Sequence, residues 1–336
     1  MQACYIERYG DATQLRMGDQ PEPTPGPGEL VFRMCAASIN PIDFKTRAGV
    51  VKAILPYKMP LILGSDAAGI VIALGAGVHN YKMGDRVAAR LNKSRIGAFA
   101  QSVCAHVDQL ALIPETVTFA DAAAVALAGL TAWQCLTEAL QLKAGQRVLI
   151  HAGSGGVGHL AIQLAKNLGA HVSTTASSDT HAWLTELGAD CCIDYKSQDF
   201  TQLCAPFDAV LDSQGGEILL RSIAHTKAGG AVVSIGDVPT PEVASELGKP
   251  LLKPVFWWLS RKPRAQARVA GVRYRYWFMR EDGAQLGMLL GMLERRALKV
   301  KIAQEFALKD CIAALALSES GRVRGKVVLS QEQAQL

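Results

Sequence analysis

The sequence contains no apolar stretch as long as the roughly 18 residues that a membrane-spanning helix requires. Its longest apolar run, from Ala122 to Leu130, is short and rich in alanine, which indicates a buried helix. The opening residues MQACYIERYG carry charged and polar side chains where a secretory signal has an apolar core. These absences predict a cytoplasmic protein without a membrane partner.

The sequence also has no large excess of positive or negative charge. The 336 residues include 35 Lys and Arg against 30 Asp and Glu, and the resulting net charge of +5 is too mild to indicate a polyanionic partner. Hydrophobic residues make up 49% of the chain, which is enough for a core of normal size. Because the chain is long for a single core, we expect two domains.

Closely spaced cysteines are absent. The eight cysteines include no C-x-x-C pair, and the adjacent Cys191 and Cys192 would face opposite sides of a strand. A structural zinc lobe needs several thiols in one loop, so the spacing excludes such a lobe. We expect reduced, mostly buried thiols, as in other cytosolic proteins.

About the first 115 residues of the sequence are predicted to be rich in β-strands. Short apolar runs separated by Gly and Pro clusters predict strands at Glu29–Met34, Gly69–Leu74, Arg86–Ala89 and Gln109–Ile113. The tail of the chain contains two helix-like stretches and ends in the strand-like GKVVLS.

Strand and helix patterns alternate after Asp121. We predict strands at Arg147–Ile150, Ala170–Ala176, Asp190–Ile193, Asp208–Asp212, Ala231–Ile235 and Val269–Tyr274, with helices at Gly156–Leu168 and Thr180–Leu187. Such alternation builds right-handed βαβ units on a parallel sheet. This part of the chain is therefore predicted to be a doubly wound α/β domain of the Rossmann type.

The stretch HAGSGGVGHL at 151–160 contains the pattern Gly153-x-Gly155-x-x-Gly158 between a predicted strand and a predicted helix. In that context Gly153 permits a tight turn, Gly155 leaves room for a pyrophosphate, and Gly158 lets the helix pack against the strand. Unpaired N–H groups at the helix start then face the phosphates. The alternative is a glycine turn that binds no ligand.

The second strand of this unit lacks the acidic residue that holds the ribose of NAD. Thr175, Ala176 and Ser177 occupy its end, and Asp179 comes later. Tyr195 and Lys196 follow the third strand and reach the same corner. We therefore predict NADPH as the cofactor, with the alternative that Asp179 turns inward and binds NADH.

Several motifs together resemble one known family. AGSGGVGHLAIQLAK, LGAD, IDY, GRVRGKVVL, SINPIDFKTRAG and LGSDAAGIV occur in the order found in the medium-chain dehydrogenase/reductase superfamily, in its zinc-independent quinone oxidoreductase branch of the zeta-crystallin type. The resemblance implies a mostly β, GroES-like catalytic domain from residues 1–121 and 276–336. It also implies a Rossmann domain from residues 122–275 and an active site in the cleft between the two.

The resemblance also implies that no metal is bound. Zinc members carry Cys at the position of Asn40 and His-Glu at Ser65 and Asp66, and neither Asn nor Ser is a good zinc ligand. Without a Lewis acid, the expected reaction is hydride transfer from NADPH to quinones, enones or enals. The alternatives are a non-enzymatic NADPH-binding sensor or scaffold and, less favoured, an alcohol dehydrogenase.

The resemblance assigns roles to individual residues. Asn40 would donate a hydrogen bond to the acceptor carbonyl, and Asp43 would orient it; the alternative for Asn40 is a simple turn residue. The expected cofactor residues are Gly153, Ser154, Gly155, Gly156, Val157, Gly158, Ser177, Tyr195, Ile235, Gly325, Lys326 and Val327, and those of the substrate cleft are Tyr57, Tyr274 and Trp277. The alternative for Lys326 is a solvated lysine at a strand edge.

The stretch KPVFWWLSRKPRAQARVAGVRYRYWFMR is both basic and aromatic, a composition that also occurs in nucleic-acid and membrane binding. We favour instead the sixth Rossmann strand, with Trp257 and Trp258 at the mouth of the site. An exposed aromatic edge strand invites pairing across a two-fold axis, so a homodimer through Val269–Phe278 is expected.

Overall fold

A computed structural model of the chain describes residues 1–331. They form two compact units, one built from residues 1–130 together with residues 281–331, the other from residues 131–280. We call them unit 1 and unit 2.

The strands and helices are as follows. The strands are β1 Gln2–Ile6, β2 Leu15–Asp19, β3 Glu29–Ile39, β4 Leu61–Ile62, β5 Asp66–Leu74, β6 Arg86–Arg90, β7 Ser102–His106, β8 Leu110–Leu112, β9 Arg147–Ile150, β10 His171–Ala176, β11 Cys191–Asp194, β12 Phe207–Asp212, β13 Thr226–Ser234, β14 Arg273–Tyr276, β15 Ile302–Ala307 and β16 Lys326–Ser330. The helices are α1 Pro41–Arg47, α2 Phe119–Gln134, α3 Gly158–Asn167, α4 His181–Glu186, α5 Phe200–Leu203, α6 Gly216–Ala224, α7 Pro241–Glu246, α8 Lys253–Leu259, α9 Arg261–Ala270, α10 Gly283–Glu294 and α11 Cys311–Glu319.

Unit 1 is built on β3. This long strand pairs with β5, β7 and β16, all antiparallel, within a seven-stranded sheet. A second sheet of β2, β1 and β4 completes the β structure. Phe32, Leu63 and Phe99 are fully buried in the core of the unit. Because β16 pairs with β3, the tail of the chain lies against the segment that leads into α1.

Unit 2 is a six-stranded parallel sheet in the order β11-β10-β9-β12-β13-β14. Counted from β9, this is the order 3-2-1-4-5-6 of the doubly wound dinucleotide-binding fold. The predicted Rossmann architecture is confirmed. Its strand order reverses at β9, so the loop after Ile150 lies at the switch point where such sheets bind ligands.

The boundaries between the units differ from the prediction. We expected a division at 121/122 and 275/276, whereas the structure divides at 130/131 and 280/281. The first part of α2 belongs to unit 1 because the Leu127 N–H donates to the Asp66 carboxylate at 3.0 Å and Gly129 packs against Leu289.

The sixth strand is also shorter than predicted. Val269 and Ala270 end helix α9, and Gly271 terminates that helix in a left-handed conformation with φ 66°. Only Arg273–Tyr276 joins the sheet, as its edge strand. The homodimer through this edge stays a prediction.

Helix α2 lies where the stretch DAAAVALAGLTAWQCLTEAL predicts a helix, and it begins at Phe119. It continues through a π-helical turn at Cys135–Ala139, and Phe119–Ala139 is long and apolar enough to cross a membrane. However, 72% of its most apolar window is buried inside the protein. That burial agrees with the predicted core helix.

His151 connects the end of β9 to its neighbours. Its side chain is 3% exposed, and its ring nitrogens lie 3.0 Å from Thr175 Oγ1 and 2.8 Å from Ser222 Oγ. Burial lowers the pKa of His151 from its ordinary value of 6.5 to about 4. The ring therefore stays neutral and holds the start of the glycine loop against β10 and α6.

This burial predicts an acid-sensitive unit 2. Between pH 6.5 and about 4 the unfolded chain takes up a proton on His151 that the folded chain refuses, so stability is lost as the pH falls through this window. Urea denaturation should show that His151→Gln removes up to about 1.4 kcal/mol per pH unit of this dependence. The exposed His79→Gln is the control. Equal slopes for wild type and His151→Gln would contradict the prediction.

Candidate functional site

The loop between β9 and α3 turns at Ala152. Ala152 has a positive φ of 54°, so the tight turn predicted at Gly153 lies one residue earlier. Gly153 is required for a different reason, since a Cβ there would lie 2.1 Å from Thr174 Oγ1 of β10. A Cβ at Gly158 would lie 2.2 Å from the Ala152 carbonyl oxygen. Both glycines thus bring the loop close to the sheet and the helix.

Gly155 differs from these two. A Cβ at Gly155 would meet only the Ala152 carbonyl oxygen, at 3.2 Å, and no second heavy atom within 4 Å. The missing side chain therefore leaves open space on the outer side of the loop. This is the arrangement that a pyrophosphate requires at the second glycine of the motif.

The same loop carries unpaired donors. Within residues 1–331, the backbone N–H groups of Ser154, Gly156 and Val157 donate to no acceptor in the protein. They precede the ten-residue helix α3, whose N-terminal end carries a partial positive charge. The open space at Gly155 and these donors fit a bound phosphate group.

The corner where the ribose would lie is at the ends of β10 and β11. Ser177 follows β10, its side chain makes no capping bond, and Asp179 lies exposed in the following turn. Asp194, which pairs with Ala176, was not considered in the sequence analysis. The expected pairing of β10 with β11 would have indicated that Asp194 lies at this corner.

The Asp194 carboxylate is hydrogen-bonded within its own turn and also by Ser178, which follows β10. Within the turn it accepts hydrogen bonds from the Lys196 N–H at 3.1 Å and the Ser197 hydroxyl at 3.3 Å. The first of these, above all, lowers the pKa of Asp194. Tyr195 beside it is 61% exposed, and Lys196 Nζ lies 6.0 Å from its ring centre. This corner therefore offers hydroxyl groups and a cation.

Ile235 lies at the end of β13, where its N–H donates to the Asp212 carbonyl at 2.9 Å. The buried Asp212 carboxylate accepts bonds from the Ser234 hydroxyl at 2.6 Å and from the N–H groups of Gln214 and Gly215. Burial raises the pKa of Asp212. The loops after β12 and β13 are thereby held together at the same edge of the sheet.

Two aromatic residues expected in a substrate cleft are tied into unit 2. Tyr274 packs against the core of the unit, and its buried hydroxyl has no partner among residues 1–331. Trp277 Nε1 donates to Gln134 Oε1 at 3.3 Å, and the Arg275 guanidinium lies 4.5 Å from its ring centre. Their part in a cleft stays a prediction.

In unit 1, Asn40 belongs to a buried hydrogen-bond network. Its Nδ2 donates to the Ser38 carbonyl and to Asp66 Oδ1, both at 3.1 Å. Its Oδ1 accepts from Lys326 Nζ at 2.5 Å, and Lys326 also donates to the Ile39 carbonyl at 3.0 Å. Asn40 is 2% exposed and Lys326 3%.

Asp43 holds the backbone of this segment. Its carboxylate accepts from the Asn40 N–H and the Ser65 hydroxyl, each at 2.8 Å. Burial and, next, the negative charge of Asp66 raise the pKa of Asp43 to about 7. Burial also raises the pKa of Asp66 and lowers that of Lys326, because it disfavours the charged form of each.

These contacts bear on two expectations. Both amide hydrogens of Asn40 are donated inside the protein in this structure, and its hydrogen bond to the acceptor carbonyl stays a prediction. Lys326 is not a solvated edge lysine, since its ammonium group faces inward. Gly325 precedes it with φ 95°, and Val327 is buried opposite Ile39.

Tyr57 is also hydrogen-bonded within unit 1. Its hydroxyl donates to the Lys93 carbonyl at 2.5 Å, and its N–H donates to the Tyr9 hydroxyl at 3.1 Å. Burial raises its pKa. Tyr57 therefore has no hydroxyl hydrogen free for a substrate.

Known proteins share this architecture. Residues 26–115 match the alcohol dehydrogenase GroES-like domain, which confirms that expectation, and residues 187–329 match the zinc-binding dehydrogenase family. A chloroplast envelope quinone oxidoreductase homolog of Arabidopsis thaliana is 38% identical over 226 residues, which are 64% of this chain and 69% of that relative.

Two solved structures are similar throughout. The quinone oxidoreductase of Coxiella burnetii has a TM-score of 0.88 and 35% identity, covering 99% of each chain. The Escherichia coli quinone oxidoreductase complexed with NADPH has a TM-score of 0.83 and 25% identity, covering 98% of this chain and 100% of that one. The chain therefore belongs to the quinone oxidoreductase branch of the medium-chain dehydrogenase/reductase superfamily, a family of nucleotide-binding oxidoreductases.

Proposed function

We propose that the protein transfers hydride from NADPH to quinones or α,β-unsaturated carbonyls without zinc. The observation that carries the proposal is the loop at 151–158, where the open space at Gly155 meets three unpaired N–H groups. The names of the relatives, quinone oxidoreductases, support the acceptor class. The cytoplasmic location stays a prediction. The word chloroplast in the name of the Arabidopsis relative describes that protein only.

NADPH rather than NADH is favoured by the groups at the ends of β10 and β11. Ser177, Tyr195 and Lys196 offer two hydroxyls and an ammonium group for a 2′-phosphate. The Asp194 carboxylate at this corner already accepts hydrogen bonds from the Lys196 N–H and from the hydroxyls of Ser197 and Ser178. The similar structure from Escherichia coli was solved with NADPH, which supports the same choice.

Zinc does not fit the residues at the positions of the family's metal ligands. Asn40 Oδ1 accepts from Lys326, the Ser65 hydroxyl donates to Asp43, and Asp66 accepts from Ser38 and Leu127 as well as Asn40. A metal cation would have to displace a buried ammonium group already hydrogen-bonded there. We infer that the positive charge of Lys326 takes the place of the metal in stabilising Asp66.

The proposed chemistry requires no acidic or basic side chain of the protein to take part in the reaction. When bound, NADPH supplies a hydride to the acceptor. Ser154, Gly156 and Val157 bind the phosphates and thereby orient the cofactor. In a quinone or an enone the negative charge that results is delocalised, so neither a metal nor a protonated side chain is required, and solvent supplies the proton. Asn40 and Asp43 act as positioning residues that shape the start of α1.

A second candidate function follows from the same network. Because Asn40 and Tyr57 donate their hydrogens inside unit 1, neither is a free donor for a substrate. That observation favours an NADPH-binding sensor or scaffold with little turnover. The two functions differ in one measurement, the rate of NADPH oxidation by a panel of quinones and enones. If the protein oxidises NADPH no faster than buffer does with every acceptor, the sensor or scaffold function is supported.

Gly155→Ala tests the nucleotide site. The added methyl group fills the open space that the pyrophosphate needs, so the Kd for NADPH should rise on the order of tenfold or more. Quenching of tryptophan fluorescence measures it. Gly287→Ala, whose Cβ meets only Ala111 at 3.7 Å, is the matched control. An unchanged Kd in Gly155→Ala would place the cofactor elsewhere.

Lys196→Ala tests the nucleotide preference. Removing this ammonium group should weaken NADPH binding several-fold, by about 1 kcal/mol or more, and leave NADH binding unchanged, since only NADPH carries the 2′-phosphate. The control is Lys58→Ala at an exposed site of unit 1. Equal losses for both cofactors, or tighter binding of NADH by the wild type, would contradict the preference.

Asn40→Ala separates a positioning role from direct catalysis. Loss of the amide leaves the Lys326 ammonium and the Asp66 carboxylate each short of a hydrogen bond, which should cost about 1–3 kcal/mol of stability in urea denaturation. The Kd for NADPH should stay unchanged. If turnover instead falls by roughly 10²–10³ with no loss of stability, Asn40 acts directly on the acceptor as an oxyanion donor does.

A further inference from the structure

Positive charge is concentrated in one segment of unit 2. Residues 247–280 contain nine Lys and Arg and no Asp or Glu. Because the whole chain carries only +5, the rest of it has a net charge of −4. The mild overall charge thus conceals a strongly basic segment.

The same segment exposes large apolar side chains. Trp257 and Trp258 on α8 are 55% and 57% exposed, Val255 is 50% exposed and Leu251, just before the helix, is 90% exposed. Phe256 of α8 and Ala267 of α9 are buried, which anchors both helices on unit 2. We call the exposed surface of residues 251–268 the α8–α9 patch.

Each tryptophan of the patch has an arginine beside its ring. The Arg261 guanidinium lies 4.2 Å from the Trp258 ring centre, and that of Arg264 lies 5.4 Å from the Trp257 ring centre. Arg261 also donates to the Trp258 carbonyl at 2.8 Å. The tryptophans are therefore held at the surface with positive charge beside them. Such amphipathic rings flanked by cations are typical of groups at a membrane–water interface.

We propose that the α8–α9 patch docks the protein peripherally on an anionic lipid bilayer. The exposed Trp and aliphatic side chains would enter the boundary between headgroups and acyl chains. The surrounding Lys and Arg would then face lipid phosphates and carboxylates. Charge complementarity identifies this occupant, since an anionic leaflet attracts each nearby Lys or Arg.

Two other occupants fit less well. Single-stranded nucleic acid needs open ring faces for its bases, whereas Arg261 and Arg264 each cover a face of one tryptophan, and Leu251 and Val255 offer no stacking surface. A second copy docked on this patch would bring the Lys and Arg of residues 251–268 against themselves, because a two-fold interface is self-complementary; the homodimer expected from the sequence uses the Val269–Phe278 edge instead. Like charges would then face each other.

Vesicle flotation tests the proposal on the full-length protein. The wild type should float with vesicles of phosphatidylcholine containing about 30 mol% phosphatidylserine, bind far less to phosphatidylcholine alone, and dissociate as salt is raised. The double variant Arg261→Glu with Lys262→Glu should weaken partitioning roughly tenfold or more. Lys58→Glu with Lys82→Glu makes the same charge change at exposed sites of unit 1 and should bind as the wild type does.

A second pair of variants tests the apolar part of the patch. Trp257→Ala with Trp258→Ala should lose vesicle binding, whereas Met83→Ala with Leu203→Ala, which removes similarly exposed side chains, should keep it. Circular dichroism establishes whether each variant is folded. If the tryptophan variant is unfolded, the proposal is tested by the charge variants alone. Equal binding to both kinds of vesicle overturns the proposal. So does tighter binding to a single-stranded oligonucleotide, or a dimer that becomes a monomer in the tryptophan variant without any vesicle binding by the wild type.

Discussion

The ammonium group of Lys326, buried among Asn40, Asp66 and the Ile39 carbonyl, is the contact on which the rest of unit 1 depends. Removing a charge from water costs several kcal/mol unless partners of opposite charge and hydrogen bonds compensate it. The compensation comes from β3, β5 and the start of α1, so these elements must be in register for Lys326 to be buried at all. One side chain thus couples the last strand of the chain to its first long one.

The network also bears on the proposed absence of zinc. A zinc ion attracts carboxylates and thiolates and must be acquired from outside, whereas an ammonium group is part of the chain. The Lys326 amine is fixed in position by its hydrogen bonds to Asn40 and the Ile39 carbonyl, and it favours the charged form of Asp66 against the effect of burial. Under the proposed function, such a site serves acceptors that tolerate negative charge by themselves, as conjugated carbonyl compounds do.

Local patterns predicted unit 2 well. The strand at Arg147–Ile150 has the predicted bounds, and the glycine spacing placed the loop at the switch point of the sheet. The β-rich character of unit 1 was also visible in the sequence. What could not be predicted depends on distant partners: Lys326 and Asn40 are 286 positions apart, and no local pattern shows that one is bonded to the other. The helices α8 and α9 were missed because a basic, aromatic stretch next to an edge strand resembles that strand's continuation, and Asp194 was missed because its importance arises only when β10 and β11 lie side by side.

The discontinuous construction of unit 1 has a consequence for synthesis on the ribosome. Unit 2 is complete in sequence once Arg280 has been made, so its six strands can assemble while the chain is still growing. Unit 1 must wait, because β15 and β16 are the last strands to be translated. Until they emerge, residues 36–39 of β3 lack the neighbour that β16 provides and Asp66 lacks the positive charge of Lys326. The first residues of the protein to be made are therefore among the last to reach their final state, and a chain truncated shortly before Lys326 would contain a complete unit 2 and an incomplete unit 1.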